Sequence, residues 1–191
     1  GLVRPRAGRE GIAAGMIFTS QSGLIDPARD ADWDAWYLDH LRVMVSVDGV
    51  DSAQRFKTTT PGHPPSLAMY TMRSADVFQD PYYLSIRGLG EFQALVDRRY
   101  YRRNLFAGLD RAPAVASGEV LLVCDADAPR DIPGIAFTWL EAAAADKSTP
   151  VRGLAVVPAA RVEALGDRSD VARYVPVTGV FRKADALRQG A

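Results

Sequence analysis

His40 and His63 are the two histidines of this 191-residue sequence, and Cys124 is its single cysteine. These side chains mark where proton transfer, nucleophilic attack or metal ligation could occur. They are too few for a multi-histidine or multi-cysteine metal site, so no metal is expected. His40 stands in the stretch Trp33-Asp-Ala-Trp36-Tyr37-Leu-Asp-His40-Leu41. At about 100° per residue, Trp33, Trp36, Tyr37, His40, Met44 and Val47 share one helix face, while Asp34, Leu38 and Arg42 lie on the other side. A partly buried imidazole titrates near neutrality and can act as general base or acid on an enolisable ketone or a phenol. The same ring can instead be a structural histidine bonded to a strand backbone group. Both readings stand at this point. His40 is the catalytic candidate, and Trp36, Tyr37, Tyr70 and Met44 are expected to line its pocket. Tyr70 alternates with Ala68 and Met72 on one strand face, which puts a phenol in an otherwise apolar wall; ordinary core packing is the competing reading.

The remaining chemistry-bearing residues read more simply. His63 lies in Pro61-Gly62-His63-Pro64-Pro65, a rigid turn that should leave it exposed, with a minor option as a lid residue. Asp97-Arg98-Arg99-Tyr100-Tyr101-Arg102-Arg103 interleaves basic and aromatic residues as some nucleic-acid surfaces do. The balanced total charge and the lack of a nucleic-acid motif argue for a structural role. One of these arginines, if its strand aims it inward, could hold a ligand carboxylate. Tyr82 and Tyr83 could line a cavity. Cys124 ends the apolar run from Val120, with no basic residue beside it in the strand, and reads as a buried inert thiol. No phosphate loop, dinucleotide fingerprint, G-x-S-x-G or H-E-x-x-H occurs, and no cofactor is expected.

Composition sets the frame for these side chains. Lys and Arg total 23 and so do Asp and Glu, so no global field draws the chain to nucleic acid or an anionic membrane. No apolar run approaches the ~20 residues of a membrane helix. An apolar share of 48% with 24% charged suits one large globular domain or two small modules. Residues 1–15, rich in Gly, Ala and Arg, read as a leader or tail. They lack the apolar stretch of a secretory signal, and cytoplasmic residence is expected.

The elements that must position His40 follow from periodicity and turn residues. Residues 16–25 begin as an alternating strand, Asp26-Pro-Ala-Arg-Asp30 turns the chain, and 32–47 is a helix stopped at Asp48-Gly49. Strands are expected at 50–60, 66–72 and 103–109, with a helix at 74–86 capped by Ser74 and a short helix at 91–99. The order β-α-β-β-α-β is that of a ferredoxin-like unit. A second copy follows. Asp26 to Asp30 resembles Asp127 to Asp131 at an offset of 101 positions (26 to 127), and Arg73 to Phe78 resembles Arg182 to Leu187 at 109 (73 to 182). An eight-residue insertion near 159–171 reconciles the two offsets. The first puts Val151 under Val50 and Glu141 under His40. The expected domains are therefore a first ferredoxin-like module at 16–110 and a truncated second one at 118–191, with a helix at 133–145 and no fourth strand.

Trp33 to Leu41 resembles the W-Y-x-x-H-L helix of the dimeric α/β-barrel superfamily, EthD-like branch. Ser66 to Met72, Ser74 to Tyr83 and Arg103 to Phe106 match further segments in order. The resemblance implies an α+β fold in which two antiparallel ferredoxin-like sheets pack face to face as a barrel with helices outside. It also implies an activity range covering cofactor-independent isomerases, cyclases, dehydratases and monooxygenases, together with haem enzymes. His40 could supply one proximal haem ligand, but no distal histidine stands near it. The expectation is a cofactor-independent enzyme on a small hydrophobic or aromatic metabolite, with His40 as proton shuttle. The alternative is a non-catalytic binding or accessory protein with a structural His40. A cavity of a few hundred Å³ reaching His40 would favour the first, and a closed core with His40 bonded to backbone the second. A homodimer is expected, because a truncated second sheet would leave an edge open.

Overall fold

The computed structural model describes residues 14–183; the expected leader at 1–15 and the Arg182 to Leu187 match fall mostly outside them. The first half contains β1 (Met16–Ser22), α1 (Asp30–Ser46), β2 (Val50–Lys57), β3 (Ser66–Met72), α2 (Pro81–Ile86) and β4 (Arg102–Ala107). The second contains β5 (Glu119–Ala126), β6 (Thr138–Ala145), β7 (Val151–Pro158), the single-turn α3 (Ala159–Val162), β8 (Ala172–Pro176) and the two-residue β9 (Phe181–Arg182).

Local chemistry explains the boundaries. The Asp26 carboxylate accepts from the Ala28 amide at 3.0 Å and Pro27 opens a 3-10 turn, after which Asp30 and Asp32 place negative charge at the α1 N-terminus. Gly49, at φ +85, turns the chain out of α1 into β2. Lys183 donates to the Val45 and Val47 carbonyls at 2.9 and 2.7 Å, satisfying acceptors that the α1 C-terminus leaves open. The expected helix at 74–86 is two pieces, a 3-10 turn at Ala75–Gln79 and α2. Pro81 has no amide proton and holds Asp80 extended, whose side chain then caps α2 through the Tyr83 amide at 2.9 Å. The short helix expected at 91–99 is a 3-10 turn, Gly90–Leu95.

The strands run β3-β1-β4-β6-β7-β5-β8-β2, and β2 pairs with β3, so eight strands close into a barrel within one chain. Every strand pair is antiparallel, and β9 adds to β2 beside β8. Within the sheet the first four strands lie in the order β2-β3-β1-β4 and the next four in the order β6-β7-β5-β8.

The second half departs from expectation in three ways. Residues 138–145 are strand β6 rather than part of a helix. Its Ala-rich sequence favours a helix locally, but pairing with β4 and β7 completes the barrel and overrides that preference. The segment before it carries Pro129, Pro133 and Gly134, which suit a loop. With β6 in place of the expected helix this half has four strands and lacks long helices, and Val151 opens β7, which holds the sheet position of β3 rather than that of β2 and Val50. Glu141 is an exposed strand residue paired with Val151 and Ala107, not a helical counterpart of His40.

Three apolar clusters result. One fills the barrel, with Ile17, Phe56, Leu67, Met69, Phe106, Leu121, Leu140, Leu154 and Tyr174. A second lies between the outer face of the first four strands and α1/α2, and a third lies under α3 outside the second four. The barrel also buries Arg152 completely. Its guanidinium bonds Asp125 twice (2.6 and 2.9 Å), Thr19 at 2.9 Å and Gln21 at 2.7 Å, and stacks over Phe106. Gln21 in turn donates to Tyr174, whose hydroxyl donates to the Pro64 carbonyl. The guanidinium is satisfied by strands from both halves, which turns a costly buried charge into a cross-barrel tie.

Candidate functional site

The buried face of α1 is Trp33, Tyr37, Leu41, Met44 and Val45. It is rotated slightly from the expected stripe, so Trp36 and His40 lie at its border, each half-buried. The His40 ring stacks on Trp36 at 4.6 Å and meets the edge of Tyr37 at 5.7 Å. Opposite stands the outer face of the sheet. Phe18 and Ser20 of β1, Tyr70 of β3 and Arg103 of β4 point here because strand alternation sends their neighbours into the barrel. In register, Phe18 faces Tyr70 and Ser20 faces Arg103. With Tyr37, His40, Met44, Tyr83, Arg87, Gly88, Leu89 and Tyr101 they enclose a chamber of about 20 Å³, room for roughly one water.

An outer recess of about 410 Å³ shares Arg87, Gly88, Tyr101 and Arg103 with the chamber wall and is completed by Gln93 and Asp146. Asp146 comes from the β6–β7 turn and its carboxylate accepts the Arg103 amide at 2.7 Å. The second half of the chain therefore contributes to the rim. The segment from Arg87 to Gly90 closes one side of the chamber and lies against the Trp36 ring. Gly88 and Gly90 take φ +92 and +54, and a Cβ on Gly90 would sit 3.0 Å from the Trp36 indole nitrogen. Glycine is what lets this loop lie on the Trp36 ring.

Burial sets the protonation states. It pulls the His40 pKa down to about 4, so the imidazole is neutral at neutral pH and a weaker base than a free histidine. Burial raises Tyr37, with Arg55 opposing. Burial raises Tyr70 well above the usual phenol range, reinforced by Tyr37 and Tyr83. Tyr83 is likewise raised by burial, against the pull of Arg103, to whose guanidinium it is hydrogen-bonded. The chamber thus presents a neutral base, phenols that remain donors, and two guanidiniums. That set can take a proton from an acidic C–H or O–H and stabilise the resulting oxyanion. Behind it, Arg55 is buried against the Tyr37 and Trp33 rings at 4.3 and 4.8 Å and bonds Asp34 of α1 at 2.6 Å, locking the helix to β2.

Tyr37, His40, Met44 and Tyr70 line one chamber, and Trp36 backs the His40 ring from outside the lining. Tyr83 joins them, while Tyr82 points outward to Ser46. His63 is half-buried rather than free, its Nε2 bonded to the Ser169 carbonyl at 2.6 Å, remote from the chamber. Cys124 is buried, with the Arg130 guanidinium 3.5 Å from its sulfur; the loop between β5 and β6 supplies the basic neighbour that strand sequence did not show. Sequence reasoning missed Ser20, Arg87 and Tyr101. It raised Arg103 only as an arginine that a strand could aim inward, and the alternation Tyr101, Arg103, Leu105 was the available signal. Neither expected picture of the core holds in full: the chamber is far smaller than a ligand, yet His40 makes no hydrogen bond to a described residue. A porphyrin does not fit beside this imidazole without parting α1 from the sheet. A larger recess of about 830 Å³ lies outside the second half, near Val120, Val162 and Val175. Its Arg168 is tied to Asp170 and its Arg173 to the Gly166 carbonyl, and no histidine or cysteine lines it. Among the described residues no cluster of metal-ligating side chains occurs and no helix is long and apolar enough to cross a membrane.

No protein-family model and no curated protein matches the chain. Solved structures do. An anthrone oxidase-like protein superposes with a TM-score of 0.63 at 11% identity, over 88% of this chain and 93% of its own. A "putative monooxygenase" from Lactobacillus acidophilus NCFM gives 0.56 at 7% identity, over 88% and 97%. A "putative chlorite dismutase" gives 0.52 at 7% identity, over 92% and 99%. At such identities the likeness concerns the fold, and that fold is the dimeric α/β-barrel one, here with its eight-stranded barrel closed by a single chain.

Proposed function

We propose that this protein is a cofactor-independent enzyme of the oxidase or monooxygenase type acting on a small hydrophobic or aromatic metabolite, with His40 as its base. The observation that carries the reading is the His40 imidazole, stacked on Trp36 and lining a chamber of phenol and guanidinium donors. Removal of a proton from an activated methylene or phenol would leave an electron-rich anion. Dioxygen, as co-substrate, converts such a methylene to a carbonyl with release of one water. Tyr37 and Tyr70 shape the chamber, Met44 supplies an apolar wall, Trp36 backs the His40 ring, and Arg103 faces the developing oxyanion. Substrate reaches His40 when the Arg87–Gly90 loop swings off Trp36. The names of the solved neighbours, anthrone oxidase-like and monooxygenase, support the reaction class. The EthD-like resemblance, a duplication behind the shared strand order of the two halves, and cytoplasmic residence belong to the same proposal. So does a homodimer, which would form outside the already closed barrel.

The test is oxygen uptake by the purified chain, without added cofactor, on anthrone and a panel of small phenols. Turnover should occur and should be lost in His40→Asn, which keeps the fold but cannot take the proton at neutral pH. Absence of turnover across the panel would refute the reading and leave the non-catalytic binding protein, while full activity in His40→Asn would refute His40 as the base.

A further inference from the structure

The inner chamber and the outer recess differ in chemistry while sharing a wall. Inside, Phe18, Met44, Tyr70 and Leu89 surround His40. Outside, the lining is Arg87, Gln93, Arg103 and Asp146 with Gly88 and Tyr101. A ligand spanning both would have an apolar reacting end and a polar end. Arg87 makes no side-chain hydrogen bond or ion pair with the described residues, so its whole planar fork is free. Arg103 commits one nitrogen to Tyr83 and rests on the Phe18 and Phe78 rings at 5.3 and 5.5 Å. Its orientation is thus fixed before any ligand arrives. Gln93 spends its carbonyl on the Leu89 amide at 3.1 Å, which leaves its amide N–H groups as donors. The donors outnumber the acceptors, and the single acidic group, Asp146, opposes a second negative charge.

Resting on the proposed reaction, we infer that the outer recess is a carboxylate subsite, in which Arg87, with Arg103 and Gln93, holds the monoanionic end of an aryl or keto-acid substrate whose other end meets His40. A planar carboxylate can accept two parallel N–H bonds from the Arg87 fork. A dianion such as phosphate would face the Asp146 carboxylate across the same recess. Arg87 directly follows α2 and begins the loop that closes one side of the chamber, so binding the carboxylate also fixes that segment.

The experiment is calorimetric titration of the full chain with benzoate, benzamide and inorganic phosphate at low ionic strength. Benzoate should bind more tightly than either, and its affinity should fall with added salt while that of benzamide does not. Arg87→Gln should weaken benzoate by about 10- to 100-fold, the range for a charge-assisted hydrogen bond, and leave benzamide unchanged. Equal affinity for benzoate and benzamide, tighter binding of phosphate, or an Arg87→Gln variant that binds benzoate as the parent does would each overturn the subsite. His40→Asn separates the two proposals, since it should still bind benzoate. Arg87-dependent binding in a protein without oxygenase turnover would sink the proposed reaction and keep the subsite.

Discussion

Replacing His40 by asparagine should make the protein more tolerant of mild acid, whatever it does to turnover. The folded imidazole has its pKa depressed to about 4 by burial, against 6.5 for a free histidine. Between those values the unfolded chain binds a proton that the folded chain refuses, so stability is whole above pH 6.5 and falls as the pH drops toward 4. Linkage puts the loss at about 2 kcal/mol near pH 5 and about 3 kcal/mol once the folded ring is protonated; both are ceilings, because His40 is only half-buried and solvent screens part of the cost. Asparagine carries no titrating group and should erase that slope. Urea unfolding of parent and variant at about pH 7, 6, 5 and 4.5, read by tryptophan fluorescence, measures it as the change in midpoint at constant m. The difference between the two should narrow or reverse on acidification. Parallel pH profiles would mean that His40 titrates as in water, and the neutral-base account of the site would fall with it.

Two further outcomes follow from the fold. Arg152→Ala should cost about 1–3 kcal/mol, the usual penalty for leaving buried polar partners unsatisfied, because Thr19 and Gln21 lose their shared donor while Asp125 keeps access to water. Chemical denaturation reads this, and a loss under about 1 kcal/mol would mean that the cross-barrel tie is dispensable. Sedimentation at micromolar concentration should show a homodimer that still closes each barrel within one chain, with the exposed Leu38, Tyr82 and Leu84 side chains of α1 and α2 as its candidate contacts; a monomer at every concentration would count against the dimer.

What the sequence determined on its own lies mostly in the first half, where the rules are local. Asp26-Pro27 starts the turn into α1 and Asp48-Gly49 ends the helix, and the spacing of Trp33, Tyr37 and Met44 sets its buried stripe. The Pro61–Pro65 turn and the run after it fix β3 at Ser66–Met72 to the residue. These signals act over a few positions, so they survive without knowledge of the rest of the chain. The site was partly legible for the same reason: Tyr37, His40 and Met44 share a helix face, and Tyr70 follows from strand alternation. The tertiary structure decided what depends on distant partners. The Ala-rich segment 138–145 is a strand because β4 and β7 need a neighbour, not because its residues ask to be extended. Arg152 is buried because Thr19 and Gln21, some 130 residues away in sequence, wait for it across the barrel. Arg87, Tyr101 and Arg103 became a site only when β4 was laid beside β1 and the α2 loop was folded over Trp36. Periodicity tells which side of an element is apolar; it holds no information on which polar side chains from remote elements that side will meet, since that is set by the summed pairing of the whole barrel.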